Sequence, residues 1–430
     1  MDARGAQQQR EEREALSVHR ILGFLGVVAL ALASSGAAQQ GPTGAGDPGS
    51  GRRVRRVRPG IDVLLGDSAH LVAGKRVGLI TNQSGLDLRG VPTIDRLARA
   101  HGVRLAALFA PEHGIRGDAA PGEPVSDTVD PATGTPIYSL YGARRGAPAA
   151  EQMARLDVLV VDLQDVGVRT WTYVTTMVLA MRAALAAGKP LVVLDRPDPI
   201  GCAVQGPVLD TAYGSYIGVL PVPLRHGMTM GELARLANAE LGIGADLRVV
   251  PVSGWRRCDW LDATGLPFVR PSPNLPDLEA LAWYPGTVLF ESTNLSSGRG
   301  TDAPFRQVGA PWLDARRVAD AMLRRFGLRL LPVRFTPHDP GDGKYGDTLL
   351  QGLRFPRADR AHGDPIRDAL RLLRTIAELQ PESLRIDSLG LARRLGVRPW
   401  GDGGRWVETA EWAAPLRDFR ARRRPYLLYR

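Results

Sequence analysis

The sequence is short of several things at once, and each shortage closes off a class of chemistry. Two cysteines in 430 residues, Cys202 and Cys258, lack the paired spacing of a zinc site and can form at most one disulfide in an oxidising compartment. His113 and His226 stand alone, without H-x-H or H-x-x-x-H spacing, so no metal is expected even with Asp162 or Asp165 nearby. No Walker motif occurs. The first apolar strand runs into Thr81-Asn82-Gln83-Ser84-Gly85 rather than a G-x-G-x-x-G turn, which leaves a nucleotide without a phosphate cradle. Ser84, Ser139 and Ser272 lack the G-x-S-x-G elbow of a serine hydrolase. No cofactor and no nucleic-acid partner are therefore expected. Long apolar runs are missing too: the N-terminal one, Ile21 to Ala33, is shorter than the roughly twenty residues a permanent membrane helix needs.

What is present is a globular composition, 44% apolar and 23% charged, with enough length for two cores. Arg13 and His19-Arg20 precede the apolar run and Ser34-Ser35-Gly36-Ala37-Ala38 follows it, the pattern of a signal peptide over residues 1–38. Export to the periplasm or the medium is the expectation, with no membrane span left after cleavage. Residues 39–57, rich in Gly, Pro, Gln and Arg, read as a flexible linker. The net charge of +10 survives processing, because residues 1–38 hold as many arginines as acids. It suits an acidic polymer and equally an arginine-rich genome, so it selects no partner.

From Arg76 the chain alternates short apolar runs with amphipathic stretches. Strands are expected at Arg76–Ile80, Arg104–Phe109, Asp157–Leu163, Leu191–Leu194 and Leu247–Val252, and helices at Val91–Ala100, Trp171–Ala187 and Met230–Leu241. Thr229 with Glu232 three residues on makes a capping box for the last helix. This is α/β: a Rossmann-like, doubly wound, mostly parallel sheet over 58–305. Residues 265–305 show little regular pattern and read as a long functional loop stretch. Residues 306–430 read as a second, smaller C-terminal α/β domain, with helices at Leu313–Phe326 and Pro365–Leu379 and strands at Leu328–Phe335 and Thr348–Phe355.

In doubly wound sheets the ligand lies beyond the carboxyl ends of the strands. The segments there are unusually polar and carry Asn82, Glu112, His113, Gln164, Asp165, Asp195 and Arg196. Glu112, in Pro111-Glu112-His113-Gly114-Ile115-Arg116, is either a general acid held in a cleft or a loop-stabilising partner of Arg116.

At these segments the chain resembles a bacterial family once catalogued as a domain of unknown function, the exo-acting β-N-acetylmuramidases of the NamZ type. The resemblance runs from about Gly60 onward. It rests on Pro111-Glu112-His113-Gly114, Tyr138-Ser139-Leu140-Tyr141-Gly142, Asp162 to Arg169, Leu194 to Pro199, Arg225-His226-Gly227-Met228-Thr229, Pro271-Ser272-Pro273-Asn274, and Glu291-Ser292-Thr293-Asn294 with Gly298-Arg299-Gly300-Thr301. It implies release of N-acetylmuramic acid from the non-reducing end of peptidoglycan-derived glycans, a hydrolysis that needs a proton for the leaving oxygen, and Glu112 is the candidate for that acid. A second carboxylate is then sought, Glu291 or Asp165 first, unless the sugar's 2-acetamido group replaces it. The lactyl carboxylate of muramic acid calls for an arginine fork, supplied by Arg116, Arg169, Arg196, Arg225 or Arg299. Asn82, His113, Gln164, His226, Asn274 and Asn294 are further candidates for sugar contacts, and Tyr138, Tyr141, Tyr173 and Trp171 for stacking, though helix aromatics are usually core. Rival readings are a non-catalytic wall-glycan binding protein and an N-acetylglucosaminidase on the same scaffold.

Overall fold

Apolar runs rich in Val, Leu and Ile become buried strands only if both faces of their sheet are covered, and the computed structural model covers them. It describes residues 56–112, 114–116, 127–141, 146–401, 404–407 and 409–430. The signal-peptide reading, most of the linker and His113 lie outside the described residues. The first nine strands are β1 Arg76–Thr81, β2 Arg104–Ala110, β3 Thr128–Val129, β4 Pro136–Ser139, β5 Val158–Asp162, β6 Leu191–Leu194, β7 Gln205–Val208, β8 Pro223–Arg225 and β9 Leu247–Val250. Seven of them form one sheet, β3-β4-β2-β1-β5-β6-β9, parallel except that β3 runs against β4. The five expected strands are its middle and one edge. The β3–β4 pair was not foreseen, since two and four residues carry too little period to read.

Alternate residues of each strand serve opposite layers. Leu79, Leu108, Val160 and Val192 pack with Ile61, Leu64, Ile94 and Leu97 of helices Gly60–Asp67 and Thr93–Ala98. Ile80, Phe109, Val161 and Val193 pack with Met177, Met181, Leu233 and Leu236 of helices Thr172–Ala186 and Met230–Glu240. Each such side chain contributes about 1.5–3 kcal/mol by leaving water. The expected capping box opens the helix Met230–Glu240: Thr229 accepts from the Glu232 amide while the Glu232 side chain accepts from the Thr229 amide.

The smaller C-terminal region holds an antiparallel sheet of β10 Gln307–Ala310, β11 Leu331–Phe335 and β12 Leu350–Arg354, with β12 central. The helix Ala315–Phe326 packs on β11 and β12, and Pro365–Leu379 packs against that helix and against Leu278–Thr287, both close to their expected bounds. The stretch 265–305 is not irregular throughout: a helix spans Leu278–Thr287 and a 3-10 turn continues to Ser292. Pro285 and Gly286 inside that helix hid it from the sequence reading. Gly286 is required there, because a Cβ would collide with the Pro365 carbonyl of the helix packed against it. Helices Ser388–Leu395 and Ala413–Arg422 also went unforeseen.

Cys202 and Cys258 are joined in a disulfide. Residues 423–430 return to the large sheet. Arg423 donates to the carbonyls of His226 and Gly227, the Leu428 amide to Glu232, and the Tyr429 hydroxyl to Asp195 at 2.5 Å. Among the described residues no helix is long and apolar enough to cross a membrane.

Candidate active site

Strands β2, β1, β5 and β6 lie side by side, and the chain leaves β1 toward β2 but later returns on the other side, to β5. This switch point opens a crevice at the carboxyl ends of β1 and β5. A cavity there is lined by Ser84, Gln164, Asp165, Arg196, Phe268 and Pro271, among others.

The loops at this edge are tied by one hydrogen-bond chain. The Gln164 amide donates to Ser84 Oγ (3.1 Å), which donates to Asn82 Oδ1 (2.6 Å), and Asn82 Nδ2 donates to the Tyr173 hydroxyl (2.7 Å). That hydroxyl lies 3.4 Å from the carbonyls of both Glu112 and Pro271. Burial, reinforced by the Glu112 charge, pushes the Tyr173 phenol upward, so it stays a donor. Asn82 and Tyr173 are thus buried supports. Trp171 packs edge-on between Tyr173 and Tyr284, at 5.2 and 6.1 Å, so Trp171 and Tyr173 belong to the core rather than to a sugar-stacking face.

Glu112 leaves β2 half-buried, and its carboxyl meets the first residue of the helix Thr172–Ala186: Thr172 Oγ1 donates to Oε2 at 2.7 Å. Oε1 has no partner among the described residues. The alternative pairing with Arg116 is not formed, since Arg116 donates to Asp130 at 2.8 Å. Thr172 and Asp130 were missed by sequence reasoning; the only signal for Thr172 was its place at the start of a helix beside the sheet edge.

The other carboxylates are committed to holding the fold. Asp162, fully buried, takes the Arg196 guanidinium through both oxygens (2.5 and 2.9 Å) and the Thr93 hydroxyl. Asp195, pushed up to about 6 by burial, accepts from Thr229, Gly231 and Tyr429. Burial would raise Glu291 as well, but the guanidinium groups of Arg299 and Arg394, one on each oxygen, hold it below its ordinary value. The Asn294 side chain is spent on Ser383 and Arg385, whereas Asn274 donates only its backbone N–H, to Ser272 Oγ.

Asp165 differs. One oxygen accepts from the Gly167 amide and faces His226 Nε2 at 3.3 Å, while the other is buried with no partner among the described residues. His226 Nδ1 accepts from the Met228 amide, which puts the proton on Nε2; that nitrogen lies near Asp165 but makes no well-aligned hydrogen bond among the described residues. Asp198 joins this cluster. Burial pushes it up to about 7, with His226 opposing and Asp165 adding to the rise.

Three arginines are consumed deep in the fold. Arg169 holds the carbonyls of Pro207, Val222 and Arg394, and burial lowers it to about 9; Arg196 holds Asp162; Arg225 holds Gln205 and the Ile200 carbonyl. Gln164 Nε2 bridges the carbonyls of Asp165 and Pro197. Among the described residues no three His, Cys, Asp or Glu side chains converge as around a metal ion.

A doubly wound sheet that brings two incompletely partnered carboxyls, Glu112 and Asp165, to its switch-point edge has the layout of a hydrolase. The chain belongs to the exo-β-N-acetylmuramidase NamZ family: the model of that family's N-terminal part matches residues 77–279 and that of its C-terminal part residues 282–429. It is 40% identical over 383 residues to the peptidoglycan β-N-acetylmuramidase NamZ of Bacillus subtilis strain 168, covering 87% of this chain and 92% of that one. Two crystal structures of DUF1343 family proteins from Bacteroides fragilis share the fold. One has a TM-score of 0.79 at 33% identity, over 88% of this chain and 100% of that one; the other has 0.69 at 29%, over 87% and 99%.

Proposed function

We propose that this chain is an exo-acting glycoside hydrolase that releases N-acetylmuramic acid from the non-reducing end of peptidoglycan fragments, with Glu112 as general acid. The observation that carries the proposal is the Glu112 carboxyl, held through Oε2 by Thr172 with Oε1 left for a ligand. Glu112 gives its proton to the glycosidic oxygen as the bond to the anomeric carbon breaks, and the leaving sugar departs with a hydroxyl. Water adds at that carbon and its proton returns to the carboxylate. The group that meets the anomeric carbon is either Asp165, whose second oxygen is uncommitted, or the sugar's own 2-acetamido oxygen. Glu291, with a guanidinium on each oxygen, is left out of the reading.

The test is hydrolysis of a chromogenic β-N-acetylmuramide beside the matching N-acetylglucosaminide, by the protein and its Glu112→Gln variant. Turnover of the muramide alone, lost in the variant, is expected. Full activity in the variant removes Glu112 from the mechanism, and no turnover of either substrate favours a glycan-binding protein. Export belongs to the same proposal and rests on the sequence of residues 1–38. A mature form beginning near Gln39 is expected on N-terminal sequencing, and an intact Met1 would refute it.

A further inference from the structure

Muramic acid differs from glucosamine by a lactyl ether whose carboxylate is a planar, anionic, bidentate acceptor, the group an arginine fork matches. Five arginines stand in the polar motifs at the sheet edge and beyond it, and the structure separates them. Arg169, Arg196 and Arg225 are buried and turned onto carbonyls, a carboxylate and an amide. Arg299 is closed onto Glu291, and its guanidinium lies 5.0 Å over the Phe305 ring. Redirecting any of these four to a ligand would strip a buried group of its partner.

Arg116 is unlike the others. It lies on the same loop as Glu112, just past a turn closed by the Gly114 amide on the Pro111 carbonyl at 3.1 Å, and its side chain is 54% exposed. One nitrogen, Nη2, donates to Asp130 Oδ1 at 2.8 Å. Asp130 is itself fixed, its side chain 1% exposed and its other oxygen taken by the amide and hydroxyl of Thr133. The guanidinium is therefore anchored at one corner by a rigid acid, while Nε and Nη1 have no partner among the described residues. That is a pre-oriented fork with donors to spare, four residues along the chain from the carboxyl assigned to proton transfer.

We propose that Arg116 is the specificity-determining residue that reads the lactyl carboxylate of the terminal muramic acid, with Asp130 as its positioning residue. The inference rests on the hydrolase reading above. It is tested on the chain from Gln39 with three chromogenic glycosides: the muramide with a free lactyl acid, its lactyl methyl ester, and the glucosaminide. The wild type favours the acid over the ester by about 10- to 100-fold in kcat/KM, the range of a charge-assisted hydrogen bond. In Arg116→Gln that ratio falls to near one, chiefly through a raised KM for the acid, and Arg116→Lys restores part of it. A variant that keeps the wild-type ratio, or that lowers acid and ester alike, overturns the assignment. Calorimetric binding of free N-acetylmuramic acid against N-acetylglucosamine makes the same comparison without turnover. If the wild type cleaves none of the glycosides, the hydrolase reading fails, and the binding arm then decides alone: weaker binding of the acid in Arg116→Gln supports Arg116, and unchanged affinity refutes it.

Discussion

Replacing Asp198 with Asn should make the protein more stable at neutral and alkaline pH. Asp198 is 2% exposed; Oδ1 accepts from the Ile200 amide at 3.1 Å and Oδ2 has no partner among the described residues. Asp165, His226, Arg225 and Arg423 are among the charged or titratable groups that act on it. Burial carries it from an ordinary 3.8 to about 7. The folded protein thus keeps this proton to a higher pH than the unfolded chain does. The favourable linkage is complete below about pH 4, falls away as pH rises to about 7, and is flat beyond. Three pH units at about 1.4 kcal/mol each give roughly 4 kcal/mol as the upper bound at pH 8. Asn keeps the Oδ1 contact and has nothing to ionise, so the variant should match the wild type near pH 4 and exceed it by about 2–4 kcal/mol at pH 8. For a fold of this size that is a rise of about 3–5 °C in Tm. The raised Asp195 affects both proteins alike and cancels in the comparison. Scanning calorimetry at pH 5, 6, 7 and 8 provides the readout. A variant that melts below the wild type at pH 8, or a Tm difference that does not widen from pH 5 to pH 8, would refute the reasoning.

Removing the hydroxyl that holds Glu112, by Thr172→Val, should lower kcat for the muramide about 10- to 100-fold with little change in KM, while Thr172→Ser keeps most of the rate. A wild-type rate in the valine variant would show that Oε2 needs no anchor. Reducing the bridge between Cys202 and Cys258, which closes a loop of sequence separation 56, should cost about 4 kcal/mol, seen as a lower urea midpoint with dithiothreitol. No change in midpoint would mean that packing alone holds the two segments.

The large sheet was legible because its strands are buried on both faces and so read as near-continuous apolar runs, as in Val158–Val161 and Leu191–Leu194. The helix Met230–Glu240 was legible down to its first residue because Thr229 and Glu232 signal locally. The helix Leu278–Thr287 was not, because Pro285 and Gly286 are helix breakers whose presence answers a tertiary demand, close packing on Pro365. The candidate site follows the same division. That Glu112, Asp165 and Arg116 reach the sheet edge follows from topology. Which arginine keeps donors to spare, and that Glu291 is neutralised by Arg299 and Arg394, depends on partners far away in sequence, such as Asp130 for Arg116 and Arg394 for Glu291.

The return of residues 423–430 to the large sheet ties residues far apart in sequence into one cooperative unit. The fully buried Glu232 takes the Leu428 amide and the fully buried Asp195 takes the Tyr429 hydroxyl. Each donor, if removed, leaves a buried acceptor short by about 1–3 kcal/mol. The parallel sheet is therefore closed by a segment that follows its last strand by more than 170 residues, so its full stability arrives only when both regions are folded together.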